Sequence, residues 1–196
     1  IIEQKPQQND LDPLASGRCL AEAQGRGAFD LPKMDHRLKN FIARVNLVHA
    51  TMPELEFAPF DEAAITACLA RAFTGLTGAK EAQAAPLLPA FHRHLEKGQI
   101  SWLDELLPLS IPWVDKSSVK VSYLNESPEA QVKLKDCFAL EEHPTLCEGQ
   151  IPVQLNLCPP KGKCLASTTD WAHFRARVLP KHREVLAKKF PGHPWI

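Results

Sequence analysis

Few side chains in this chain stand at spacings that do chemistry, and most of those have a plainer reading. His92 and His94 are two apart; on a helix they diverge, whereas a metal-binding histidine pair needs the i, i+4 spacing of HExxH, which is missing. Asp61-Glu62-Ala63-Ala64 has the letters of a magnesium-holding DExx motif. It opens an amphipathic helix, however, where acids simply favour the helix dipole. Gly75-Leu-Thr-Gly78-Ala-Lys80 lacks the spacing and the hydroxyl of a phosphate loop, and Gly25-Arg26-Gly27 is too short for a dinucleotide turn. No GxSxG elbow occurs. The six cysteines (19, 68, 137, 147, 158 and 164) form no CxxC. Cys147, Cys158 and Cys164 with His143 could gather around a metal, but Cys68 and Cys137 fall on apolar faces, as core cysteines do. The plain expectation is reduced thiols. No catalytic residue and no metal site is assigned.

The remaining chemistry is charge. Lys/Arg and Asp/Glu balance at 23 each over 196 residues, which by itself points to neither nucleic acid nor membrane. The balance is uneven along the chain. From residue 161 onward stand Lys161, Lys163, Arg175, Arg177, Lys181, Arg183, Lys188 and Lys189, against only Asp170 and Glu184. Trp171, Phe174, Val178, Val185, Leu186 and Phe190 are interleaved with them. The bland reading is a solvated helix face over an aromatic core stripe. The functional reading is a phosphate-contacting surface whose binding falls with salt. Clustering on one face separates the two.

The elements that position these groups read in two parts. Residues 10–110 show helical periodicity. Asp12-Pro13 is a cap with proline at the first helical position, and Leu38, Phe41, Ile42, Val45 and Val48 stripe a second helix. Asp61 opens a third, closed by Gly75; further helical patches end at Gly98 and Leu107. From Val119 the period changes. Val119, Val121 and Tyr123 mark a strand, Ser127-Pro128 predicts a cap for a helix carrying Ala130, Leu134, Cys137 and Phe138, and Ile151–Leu157 alternates as a second strand. A Pro159–Gly162 turn leads to a third strand at Lys163–Ser167. Thr168-Thr169-Asp170 then caps a helix that Pro180 restarts or kinks. The expected fold class is α+β: a helical subdomain, 1–112, followed by a small β-α-β-β-α-α unit, 113–196.

At 44% hydrophobic the chain has material for a sizeable core, and no run of about 18 apolar residues exists to span a membrane. The first residues, IIEQKPQQND, show neither the charged nor the apolar region of a secretory signal, and they do not begin with methionine. The expectation is a cytoplasmic segment of something longer.

Three stretches carry a resemblance. VSYLNESPEAQVKLKDCFAL (121–140), IPVQLNLCPPKGKCLASTTDWAHF (151–174) and KHREVLAKKFPGHPWI (181–196) resemble the C-terminal region of HrpB-type DEAH-box ATP-dependent helicases of bacteria. That family pattern has a "VPLxLxLLSPxGRP" hairpin, a "TxDLxxFW" helix start and an ending like "RYPKHPW"; its "Phe-Gly-Leu" is Phe138-Ala139-Leu140 here. LKNFIARV (38–45), the Asp61 helix and Leu103–Pro108 fit less sharply. The resemblance implies a parent with two RecA-like ATPase domains followed by winged-helix, helical-bundle and OB-like modules, this chain being the extension after them. ATP and Mg would belong to the parent, with no cofactor in this chain, and no catalytic residue carries over.

The partner implied is the helicase core of the same polypeptide, and the basic end would extend a single-stranded nucleic-acid path. A protein-interaction module without nucleic-acid contact is the alternative. An unrelated enzyme, with His143 and Cys147 as its scattered candidates, is a third reading. The ending suggests a tail anchor: prolines lower the ordering cost of a docked tail, and Trp195, set by His193, packs back on its own domain.

Overall fold

Asp12 and Asp61 each turn a side-chain oxygen onto the first free N–H groups of a helix, and this starts the helical part where the sequence places it. A computed structural model describes residues 12–30, 32, 34–159, 161 and 163–191. Asp12 accepts from the Leu14 N–H (3.1 Å) to begin α1 (Pro13–Gly25), and Asp61 accepts from the Ala64 N–H (2.7 Å) to begin α3 (Glu62–Ala72). Between them runs α2 (His36–Thr51), whose Leu38 N–H is held by Asp35 at 2.8 Å. Short helices α4 (Ala79–Gln83) and α5 (Leu88–His92) lead to α6 (Gln99–Leu106).

The described chain divides into two compact units, one made of the residues up to His49 with Leu55–Ile100, the other of Ala50–Glu54 with Ser101 onward. The first unit is built on phenylalanines. Phe41 meets Phe60 edge-on at 5.7 Å, and Phe60 meets Phe91 at 5.3 Å. Asn46 fixes the loop before α3, accepting from the Phe60 N–H at 2.7 Å.

The second unit is a mixed sheet with helices. Its strands are β1 (Ser110–Pro112), β2 (Ser118–Ser122), β3 (Glu129–Lys133), a β4 (Thr145–Leu146) and β5 (Ile151–Pro152) hairpin, β6 (Gln154–Cys158) and β7 (Ala166–Thr168). The five-stranded order is β1-β2-β3-β6-β7, antiparallel except for the parallel β3–β6 pair, which runs from Glu129 against Gln154 to Lys133 against Cys158. Ala130, Val132, Leu155 and Leu157 fill one face and are buried.

The chain is α+β in the expected sense, with helices first, then a small sheet, then helices. Inside the second unit the order departs from expectation. The segment after Ser127-Pro128 is a strand, and only α7 (Leu134–Cys137) is helical. Ala130, Val132 and Leu134 alternate with Glu129, Gln131 and Lys133, a period of two that a neighbouring parallel strand completes. The Ile151–Leu157 strand is broken at Val153, whose N–H goes to the Pro144 carbonyl (3.0 Å). The last strand begins at Ala166, three residues later than the spacing suggested.

Gly17 decides how closely α1 and α3 approach. A Cβ there would collide with the Ala70 carbonyl oxygen and press within 3.2 Å of Thr74 Cα. In a free helix Gly→Ala gains about 1 kcal/mol. Here overpacking against rigid backbone wins, so Gly17→Ala should lower stability by roughly 1–3 kcal/mol, read as a fall in melting temperature.

Candidate functional site

The basic C-terminal segment is positioned by two residues of unlike character. Asp170 accepts from the His173 N–H (2.9 Å) and starts α8 (Trp171–His173). Pro180 has no N–H to give the carbonyl four residues back, and the helix passes through a widened π turn over Phe174–Val178 before α9 (Leu179–Lys189). Trp171, Phe174, Leu179 and Leu186 are buried along the inner side. Trp171 stacks on Phe174 at 6.0 Å and meets Phe138 edge-on at 5.7 Å.

All eight cations picked out in the sequence are exposed. Lys161 and Lys163 lie in the loop between β6 and β7. Arg175 sets its guanidinium 5.8 Å over the Phe138 ring, and Lys189 holds its ammonium 5.7 Å from the Phe190 ring. On α9, at about 100° per residue, Lys181 and Lys188 share the face opposite Leu179 and Leu186, with Glu184 between them. Arg183 and Lys189 fall on opposite flanks. On α9 the fold sets Lys181 and Lys188 on one face with Arg183 and Lys189 on the flanks, while Arg175 and Arg177 stand on the π turn and Lys161 and Lys163 in the loop. His193 and Trp195 lie outside the described residues.

The thiol and imidazole candidates are structural. His143 bridges two elements: its Nε2 lies 2.8 Å from the Val153 carbonyl oxygen, and its Nδ1 accepts the Trp171 N–H at 3.2 Å. That pairing requires the neutral ring with the proton on Nε2. Burial, and then the neighbouring Glu148 charge, push the Cys147 thiol up to about 11. Burial, and then Asp136, push Cys137 up to about 12. Burial also raises Cys68, against the opposing charge of Arg71. Thiols held in the protonated form are poor nucleophiles and poor metal ligands. Among the described residues no group of three or more His, Cys, Asp or Glu is placed to hold a metal ion. Cys158 and Cys164 are bonded to each other, which corrects the expectation of six reduced thiols. The antiparallel β6–β7 register pairs Leu157 with Ala166, so the chain turns back just beyond them and the two cysteines meet across that turn. Five intervening residues containing Pro159-Pro160 were the available signal.

His92 and His94 are packing groups, their rings each 4.6 Å from Phe41 and Phe60 respectively. Asp61 is the cap already described. An open groove of about 920 Å³ in the first unit runs between α1 and α3, past Leu14, Arg18, Glu22, Thr66 and Arg71. It is lined by no Cys, His or Ser. Among the described residues no helix is long and apolar enough to cross a membrane.

The family of HrpB ATP-dependent helicase C-terminal regions matches residues 68–196. A curated relative, the ATP-dependent RNA helicase HrpB of Escherichia coli K12, is 24% identical over 149 residues, covering 74% of this chain but 18% of its own length. Two solved structures have the same fold. The E. coli DExH-box NTPase HrpB superposes with a TM-score of 0.81 at 21% identity, over 98% of this chain and 24% of that one. A second, described as the E. coli DEAH/RHA helicase HrpB, gives 0.73 at 18% identity, over 100% and 25%. The chain thus spans about a fifth to a quarter of the length of the proteins it matches.

Two outcomes follow from this geometry. Replacing His143 with alanine leaves the Trp171 N–H and the Val153 carbonyl without their partners, and should destabilise the second unit by about 1–3 kcal/mol in chemical denaturation. The buried thiols act at high pH. Below their ordinary 9.0 folded and unfolded chains are both protonated and nothing changes. Above it the unfolded chain sheds protons that the folded chain keeps, so stability falls as pH rises toward 11–12. The melting temperature of a Cys137→Ala, Cys147→Ala chain should decline less steeply over that window than that of the parent sequence.

Proposed function

Because the chain belongs to the family of HrpB-type ATP-dependent helicase C-terminal domains, we propose that it is a non-catalytic accessory domain. It docks on the helicase core of the same polypeptide and contacts single-stranded nucleic acid through its basic C-terminal segment. ATP and Mg are bound by the core, and the assembly works in the cytoplasm. The observation that carries the nucleic-acid part is eight exposed cations against two acids from residue 161 onward. Lys and Arg at that density attract phosphates and release counterions, with no need for base-specific contacts. RNA is the first polymer to try, since the E. coli relative is named as an RNA helicase.

A second reading, a protein-interaction surface without nucleic acid, is favoured by Trp102. Its side chain on α6 is 51% exposed, and an exposed tryptophan is the kind of anchor that dominates protein interfaces. The spread of cations around α9 also suits it, since a solvated face needs no single-sided stripe.

Titrating the chain into fluorescent single-stranded RNA across a salt series separates the readings. Micromolar binding is expected, with log K falling about 0.7 per phosphate neutralised for each unit of log salt. Reversing Arg175, Arg177 and Arg183 to Glu should weaken it roughly tenfold or more. Absence of binding at low salt would sink the nucleic-acid role; a Trp102→Ala chain that no longer associates with separately produced core would then support docking by protein contacts.

A further inference from the structure

One cation of the basic segment differs from the other seven in what holds it. Phe174, Trp171 and Phe138 form a connected array of rings, with successive centroids 6.0 Å and 5.7 Å apart. Trp171 and Phe174 are buried, and Phe138 is half-buried. His143 fixes the array from outside the C-terminal helices by accepting the Trp171 N–H. Arg175 sets its guanidinium 5.8 Å over the Phe138 ring, at the open end of the array, and is itself exposed. Lys189 lies over the ring of its own neighbour, Phe190. Lys161, Lys163, Arg177, Lys181, Arg183 and Lys188 have no ring contact among the described residues.

Charge density holds phosphates and takes no account of bases. A guanidinium adds something an ammonium lacks: it is planar, weakly hydrated and stacks on π faces. One already held over a ring loses little freedom when a second planar group binds it. One side of the Arg175 guanidinium is turned to Phe138, and the other is left to solvent. We infer that Arg175 and Phe138 form a stacking seat for one unpaired base of a single strand, an inference that rests on the nucleic-acid reading. The base lies on the solvent side of the guanidinium, so that ring, cation and base make three layers. Lys135, exposed on α7 three positions before Phe138, supplies a cation for the adjoining phosphate. Such a seat accepts any base, since each has a π face. It refuses a duplex, whose bases are stacked inside the helix.

The test titrates two strands of about 12 nucleotides into the full 196-residue chain at one low salt concentration. One is oligoadenosine RNA and the other an abasic sugar–phosphate strand of equal charge. The RNA should bind at least about fivefold more tightly. Arg175→Lys keeps the charge and removes the plane, and should cut that preference to about twofold or less. Arg177→Lys makes the same exchange away from the array and should retain the preference. A fluorescent base analogue in the strand should be quenched on binding the parent chain, and much less so on binding the Arg175→Lys chain. Melting temperatures check that both variants are folded, as expected for exposed positions. Equal binding of the two strands by the parent chain overturns the stacking seat. So does a preference that survives in Arg175→Lys, or one lost equally in both variants. These results leave the charge-based contact standing. Absence of binding to either strand overturns the seat together with the nucleic-acid role.

Discussion

Two parallel neighbouring strands cannot be joined by a tight turn, and the second unit is organised around that constraint. β3 and β6 pair in parallel, so the chain between them must leave the sheet and return in the same direction. It does so through α7, the His143 loop and the β4–β5 hairpin. The connection stays in place because its polar groups are answered: Val153 gives its N–H to Pro144 and its carbonyl to His143. The other side of the same imidazole takes the Trp171 N–H. One ring therefore ties the return of the crossover to the start of the C-terminal helices. The antiparallel strands outside the parallel pair are reached by short connections and need no such device.

What the C-terminal helices present to solvent depends on what they bury. Trp171 inserts its ring between Phe138 and Phe174, and its indole nitrogen is buried without a hydrogen-bond partner among the described residues. Such a group costs about 1–3 kcal/mol, a cost set here against two aromatic contacts and the burial of a large side chain. With Trp171, Phe174, Leu179 and Leu186 turned inward, every cation of the segment is left in water. The same packing scatters them, because α9 has one buried stripe and its charges occupy all the remaining angles. A phosphate chain meeting this surface would be held by charge density rather than by an aligned groove.

The first unit relies on close approach and aromatic packing. Gly17 lets α1 lie on the backbone of α3, and the Phe41–Phe60–Phe91 cluster enlists His92 and His94 as further rings. His92 ends α5 and His94 lies in the turn after it, and each finds its own phenylalanine. Cysteines follow the same logic. Where burial raises the thiol, as at Cys137 and Cys147, reactivity is suppressed and the sulfur behaves as a small apolar filler.

From the sequence alone, the local signals were sufficient wherever a single residue dictates its neighbours. Asp12, Asp61 and Asp170 begin helices by satisfying their free N–H groups, Pro180 disturbs the helix it enters, and the motif-bearing stretches at 121–140, 151–174 and 181–196 point to the family. Tertiary structure decided whatever depends on a distant partner. Residues 129–133 are a strand because β6 lies beside them, and their weak alternation would serve a helix start almost as well. The compact units divide near residue 100, since which neighbour a helix packs on is not written in its own periodicity. Cys158 and Cys164 meet because β6 and β7 pair, and His143 is a staple because Val153 and Trp171, 10 and 28 residues away, converge on it. A ring's partners are set by the path of the whole chain, and that path is what one sequence read residue by residue does not contain.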